Sequence, residues 1–408
     1  MPTQVYGKTV LLNTEVKSLP TWSETRILYG SGNVTTQKSY TLYDAKARPV
    51  YSYLTHEGGY TAVETDLDFA GKVTQTRTRH KRSITGDELV TQEFFSYAPQ
   101  GQVVSHIHQV GNDAPQQLSL PQYDALGQLI RKDVGGLAGG APLQKVNYRY
   151  NIRGWMTQIN DVNDLQDDLF AFKINYNVRD HHQSTLLYNG NISATYWRTQ
   201  TDNIKRHYNY NYDALNRMTS AHYGKNDLLT HNYNESLGYD RNGNILYLSR
   251  YGINDFGDPI PIDDIFYNYE NSEKSNKLQN VTETPYGNAA QGFKDGTNTD
   301  KDYHYDDFGN MIIDKNKNIE SITYNNLNLP KKITFAGGNH ITYIYNALGV
   351  KLRKEVSTTE TFATTHYLGS FQYNNNTLQY IHTVEGYVRH TPPSSGTNYG
   401  AFDYVYNY

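Results

Sequence analysis

The chain has 408 residues, a formal net charge of −4 and an isoelectric point near 6.4, so its composition lacks the basic excess that marks a nucleic-acid binder. It contains no cysteine, which excludes disulfides, thiolate zinc sites and a cysteine nucleophile. No apolar run approaches the ~20 residues of a membrane helix, and Met1-Pro2-Thr3-Gln4-Val5-Tyr6 does not read as a signal peptide. Apolar residues make up only 37% and mean hydropathy is −0.73, values that lean toward disorder, but 38 tyrosines against 13 phenylalanines reverse that reading. The phenol ring favours strands and buries a large apolar area, whereas disordered chains are poor in aromatics.

Residues 1–39 form an irregular start. Gly7-Lys8-Thr9 resembles the end of a phosphate loop, but Pro2 stands where the first glycine belongs. From about residue 40 one pattern recurs: an aromatic, Asp or Asn, two residues, Gly or Asn, one residue, an aliphatic. Weaker copies open at Tyr43-Asp44, Phe69-Ala70 and Tyr97-Ala98. Clear copies follow at Tyr123-Asp124 with Gly127 and Leu129, and at Tyr150-Asn151 with Gly154 and Met156. After a weak copy at Tyr176-Asn177 come Tyr212-Asp213 with Asn216 and Met218, then Tyr239-Asp240 with Gly243 and Ile245. Tyr267-Asn268 is weak, Tyr305-Asp306 with Gly309 and Met311 is clear, Tyr324-Asn325 is weak, and Tyr345-Asn346 with Gly349 is the last. From 43 to 176 the leading aromatics are 26 to 28 residues apart. The steps from 176 to 212 (36) and from 267 to 305 (38) are about ten residues too long, which places insertions around 185–200 and 287–301.

Asp or Asn at the first position of a type I turn accepts local backbone bonds, and Gly or Asn at the fourth takes the left-handed conformation that closes a bulged hairpin. The flanks alternate with period two, as in Tyr148-Arg149-Tyr150 and Val350-Lys351-Leu352-Arg353, so the aromatic before a turn can meet the aliphatic after it. Each repeat is therefore roughly one β-hairpin. One hairpin is unstable in water, but stacked neighbours bury one another. The expected fold is all-β: one tandem-hairpin region over 1–408, with repeats at about 40–360 and terminal hairpins at 361–408. It forms a long curled or spiral antiparallel sheet, a hollow shell or part of one.

Other features are weighed against this background. Arg77, Arg79, His80, Lys81 and Arg82 read as a solvated strand end and loop. His106 and His108 share a strand face and such a pair can bind zinc, but no third ligand is evident; Asp180-His181-His182 is the other candidate. Surface or hydrogen-bonded histidines are the plainer reading of both. Asp44, Asp124, Asp213, Asp240 and Asp306 recur once per repeat, unlike a catalytic pair, and Asp263-Asp264 and Asp306-Asp307 read as loop acids or weak calcium ligands. Asp161 to Phe172 holds a short helix or a turn. Gly135-Gly136-Leu137-Ala138-Gly139-Gly140 reads as a flexible loop, where a side chain matters less than at Gly127. Pro115, Pro121, Pro142, Pro259, Pro261, Pro285, Pro392 and Pro393 fall in apparent loops. Trp155 follows a turn glycine and can cover the turn, while Trp22, Trp155 and Trp197 could also stack on sugars. No constellation supports catalysis, a metal or a cofactor.

The segments Thr41-Leu42-Tyr43-Asp44-Ala45-Lys46-Ala47-Arg48-Pro49, Tyr150-Asn151-Ile152-Arg153-Gly154-Trp155, Tyr188-Asn189-Gly190-Asn191-Ile192-Ser193 and Tyr210-Asn211-Tyr212-Asp213-Ala214-Leu215-Asn216-Arg217 resemble the YD repeats of Rhs proteins. So do Tyr367-Leu368-Gly369-Ser370-Phe371-Gln372-Tyr373 and Glu385-Gly386-Tyr387-Val388. The resemblance runs from about 40 to 408 and is narrower toward the Bacteroidetes branch. It implies a hollow β shell, as in insecticidal toxin complexes, polymorphic toxins and teneurins, where toxin members enclose a variable C-terminal effector behind an Rhs core segment. Tyr404-Val405-Tyr406-Asn407-Tyr408 falls where that core is expected to begin, and Asp258-Pro259 lacks the surroundings of the family's cleavage signature. The implied function is a non-enzymatic wall of a secreted or surface-displayed protein, exported in Bacteroidetes members often by the type 9 route. Its partners would be the remaining segments of the parent, core and effector, and secretion or cell-surface proteins, with no nucleic acid and no membrane insertion. The alternative is a cell-surface adhesin or glycan-binding module, carried by the tyrosines and the two insertions.

Overall fold

A computed structural model describes residues 1–11, 15–29, 35–178, 186–271, 274–284, 286–288, 290–296, 301–392 and 400–407. Within them the regular secondary structure is almost all strand; the helical elements are the 3₁₀ turns Lys315–Lys317 and Ala336–Gly338. Strands pair antiparallel, mostly with their neighbours in chain order, in sheets of two, twenty and eleven strands among the described residues. The fold is the expected run of tandem β-hairpins. No helix is long and apolar enough to cross a membrane.

Each hairpin joined by a repeat turn carries one register shift, immediately before the leading residue. Tyr123 then pairs with Leu129, Tyr150 with Met156, Tyr212 with Met218, Tyr239 with Ile245 and Tyr305 with Met311. This is the bulge that a left-handed fourth residue imposes on an antiparallel ladder, and it brings aromatic and aliphatic opposite each other.

The chain divides into two compact units: Met1–Val146 with Tyr324–Lys331 and Ile341–Tyr408, and Asn147–Thr323 with Lys332–His340. In the first, the core gathers Val110, Leu368, Phe371, Tyr373, Leu378, Ile381 and Val388, joining early strands to the C-terminal ones. A second cluster of Val5, Val10, Val50 and Leu67 docks the N-terminal hairpin, whose Lys8 ammonium binds Asp66 and the Leu67 carbonyl. Lys8 is thus a structural cation. Within the first unit the backbone also bonds directly between distant segments: Leu28 N donates to Tyr345 O and Ala347 N to Arg26 O. In the second unit, Val162 and Leu165 cover Ala171, Ala194 and Tyr196. These two residues come from the 161–168 segment, which is a chain of turns rather than a helix.

Several expectations are corrected. The second copy is led by Leu67-Asp68, with Phe69 at the exposed tip, because Asp68 N bonds Lys72 O and Leu67 pairs with Val73. The copy placed at Tyr267 is led by Tyr269, two residues on, which carries the register shift opposite Leu278. Residues 194–199 of the first supposed insertion are an ordinary strand. Pro121, Pro259 and Pro261 lie in strands rather than loops. Gly135 and Gly136 are not slack. Their φ values are +78 and +95, and a Cβ on Gly136 would lie 2.6 Å from Ala141 O, so both positions demand glycine. Pro285, Pro393 and Asp180-His181-His182 lie outside the described residues.

Candidate functional site

The recurring feature with defined chemistry is the edge formed by the repeat turns. At Tyr212-Asp213, Asp213 N donates to Arg217 O (2.9 Å), Asn216 N donates to Asp213 O (3.0 Å), and one carboxylate oxygen accepts from Leu215 N and Arg217 N, each at 2.9 Å. Asn216 sits at φ +62. The same four bonds recur at Asp124 with Gly127 (φ +81), Asn151 with Gly154 (φ +76), Asp306 with Gly309 (φ +84) and Asn346 with Gly349 (φ +81). Asp240 with Gly243 (φ +93) closes the same way through Asn244. At Tyr43-Asp44 the fourth position is Ala47 at φ +58, with Asp44 accepting from Lys46 N and Arg48 N. Asn254 with Gly257 is a further copy of the turn, missed because no aromatic precedes it.

Neighbouring turns are stitched together in two ways. The leading tyrosine hydroxyl donates to the carbonyl of a residue in the preceding hairpin: Tyr97 to Val73, Tyr176 to Met156, Tyr212 to Ile192, Tyr239 to Met218, Tyr269 to Ile245 and Tyr305 to Leu278, at 2.7 to 3.1 Å. Tyr43 finds Pro20 O in the same role. The residue after the turn supplies the second stitch. Arg217 Nε binds the Asp213 carboxylate at 2.7 Å, its Nη1 donates to Asp240 O of the next turn at 2.8 Å, and its guanidinium lies 4.6 Å from the Tyr239 ring centre. Arg48 links Asp44 to Asp68 O likewise. Trp155 packs on Tyr176 (5.0 Å) under Arg153, so it joins its own turn to the next one.

These contacts set the electrostatics. Asp213 lies below the ordinary carboxylate range because Arg217 N and then its side chain, with Leu215 N, hold the anion against burial. The Asn310 side-chain amide does the same for Asp306, helped by backbone N–H groups. Burial pushes the hydroxyls of Tyr239, Tyr269 and Tyr305 up, so they remain donors. The repeated acids are spent on turns.

The remaining candidates resolve into partnered groups. The basic cluster does end the strand Val73–Lys81, and Arg77 and Arg79 stay partly exposed, but they pair with Glu64, Arg79 also with Glu88, and His80 is fully buried. His106 and His108 do share a face and are hydrogen-bonded, as buried side chains: His106 faces Glu93 at 2.9 Å and His108 faces the Tyr404 hydroxyl at 2.7 Å. Asp263 is not a loop acid. It is wholly buried in a strand, bonded to Arg250 and to Phe293 N (2.6 Å), which folds part of the second insertion over it. Asp264 accepts from Tyr247 and Thr284. Among the described residues no group of three or more His, Asp or Glu side chains is placed to hold a metal ion. A cavity of about 410 Å³ in the first unit is lined by aliphatic side chains such as Leu54, Val63 and Leu352, with Gln37, His56 and Asn346. Its lining contains no acid, so it offers no carboxylate pair for glycoside hydrolysis.

No family model matches the chain, and no curated protein does. Solved structures of the same fold are found. The chain is 13% identical to a component of the TcdB2-TccC3-Cdc42 crystal structure, with a TM-score of 0.54 over 94% of this chain and 20% of that one. The same figures hold for the Photorhabdus luminescens Tc holotoxin pore carrying a TccC3 point variant. For TcdB2-TccC3-TEV the identity is 12% and the TM-score 0.50, over 90% of this chain and 23% of that one. The chain therefore shares the fold of part of these TcdB2-TccC3 toxin components and spans about a fifth of the length of those chains.

Proposed function

We propose that the chain is a non-enzymatic wall segment of an Rhs-type protein, and that the parent encloses or displays a C-terminal effector. The observation that carries this reading is the turn-to-turn stitching. Tyrosine hydroxyls and the Arg48 and Arg217 guanidiniums tie successive hairpins together within each unit, so these recurring side chains are used for continuity rather than for a solvent-facing site. The fold likeness over 94% of the chain to a component of a Tc holotoxin supports it. On this reading the partners are the rest of the parent, core and effector, together with secretion or cell-surface proteins, and the location is extracellular or at the cell surface. The Bacteroidetes affiliation and type 9 export rest on the sequence resemblance alone. Purification of the parent from its native cells, with mass spectrometry before and after limited proteolysis, tests this. A protected C-terminal fragment inside an intact repeat region is the expected result. A C-terminal region digested as fast as the exposed turns would overturn enclosure.

One observation favours a second reading, a glycan-binding module. Trp197 stacks on Tyr208 at 5.6 Å, beside Tyr210 and the Arg206–Asp202 ion pair, which together resemble a sugar-stacking platform with polar side chains at its edge. A glycan array probed with folded protein and with Trp197→Ala separates the two; a Trp197-dependent signal favours binding.

A further inference from the structure

In the first unit, the strands Gly59–Leu67, Val73–Lys81 and Val103–Val110 meet the C-terminal strands Phe362–Leu368, Phe371–Asn374 and Ala401–Tyr406 along a seam occupied by histidines. His80 is fully buried there. Its ring lies flat on Phe371, with centroids 3.9 Å apart and planes 8° apart, and Tyr373 and His56 stand 5.7 and 5.2 Å away. Its Nδ1 meets Thr61 Oγ1 at 2.8 Å, while Nε2 has no hydrogen-bond partner among the described residues. Next along, Arg82 reaches across the seam to His366 Nε2 at 3.2 Å and to Asn376 Oδ1. A guanidinium can only donate, so the His366 nitrogen must accept and the ring must be neutral. At the far end His108 bonds the Tyr404 hydroxyl.

The surroundings are hostile to added positive charge. His80 faces His56 and Arg82. His366 faces Arg82, Arg353 and His56, and the two acids near it, Glu57 and Glu355, are already paired to Arg353 at 2.8 and 2.9 Å. His108 faces His106 and Glu93, and Glu93 is engaged by His106. A further ion pair outside the seam, Lys132–Glu385 at 2.6 Å, joins the neighbouring strand Leu129–Val134 to the turn before Gly386–Thr391.

We propose that this seam is an acid-sensitive latch, in which protonation of His80, His366 and His108 releases the C-terminal strands 362–406 from the strands at 59–110. Burial, then His56 and Arg82, depresses His80 to about 3; burial, then Arg82 and Arg353, depresses His366 to about 4; and burial foremost depresses His108 to about 4. In an opened seam each ring returns to an ordinary value near ~6.5. The open state therefore binds more protons between those limits. The closed state is fully favoured above ~6.5 and loses ground as pH falls from there toward 4. The latch is distinct from the wall function: it determines when the terminal strands leave, whatever they adjoin.

Hydrogen exchange read by mass spectrometry on the 408-residue chain, from pH 7.5 to 4.5 and corrected for intrinsic rates, tests the latch. Amides of 371–391 should exchange at least tenfold faster at pH 4.5 than at 7.5, while those of 206–212 stay protected. In His80→Phe/His366→Asn the onset should move down by at least one pH unit, and His108→Gln should move it in the same direction if the double variant does not fold. Unchanged protection of 371–391 in the native chain at pH 4.5 overturns the proposal. So does loss of protection in 206–212 at the same pH, or an onset that shifts with Glu385→Gln and not with the histidine variants.

Discussion

The Tyr239 hydroxyl donates a 2.7 Å hydrogen bond to the carbonyl of Met218, and Met218 is the residue that pairs with Tyr212 across the preceding hairpin. Each such tyrosine thus holds its own turn by pairing and the turn before it by hydrogen bonding. A pattern that defines one hairpin becomes a chain of linked hairpins.

Removing that hydroxyl leaves the ring packing in place. Tyr239→Phe should cost about 0.5–1.5 kcal/mol, the worth of one partly buried hydrogen bond, and should raise hydrogen exchange in the 212–218 turn. Denaturant titration with site-resolved exchange measures both; a stability loss without faster exchange there would contradict the stitching role.

Gly127 sits at φ +81, where a β-branched side chain is strained. Gly127→Val should destabilise by about 1–3 kcal/mol and Gly127→Asn by less, since Asn tolerates this region. Gly136→Val should cost at least as much as Gly127→Val, because its Cβ would meet Ala141 O at 2.6 Å. Thermal or urea unfolding of the three variants ranks them.

Asp263 is fully buried and its charge is balanced by Arg250. Arg250→Met should destabilise the second unit by about 3–5 kcal/mol because it strands a buried anion. The double variant Arg250→Met/Asp263→Asn should recover part of that loss, and a double-mutant cycle reads the coupling.

Asp213 and Asp306 have lowered folded-state pKa values. A depressed carboxyl contributes stability above its unfolded value of ~3.9, and that contribution disappears as pH falls through the folded value. Asp306→Asn keeps the oxygen that accepts from Phe308 N and Asn310 N but cannot titrate. Its stability should vary less with pH below ~4 than that of the native chain, measured by urea midpoints at successive pH values.

The repeat itself was legible because it is local chemistry. Asp or Asn four residues before a flanking amide, with Gly or Asn between them at positive φ, specifies a bulged turn without help from distant residues, and tyrosine at period two specifies strand. Where the local signal is diluted, the aromatic pattern misplaces the register: it points to Phe69 and Tyr267, although Leu67 and Tyr269 carry the bulge. An aromatic nearby does not identify the pairing position; the ladder does. The tertiary structure alone decided what the strands bury. Nothing near His80 in sequence indicates that Phe371 will cover it, nor that His108 will meet Tyr404, nor that Asp263, read as a loop acid, will lie sealed beside Arg250. Those contacts depend on which strands a long antiparallel chain brings face to face. That is set by cumulative twist and packing over hundreds of residues, and no short-range pattern encodes it.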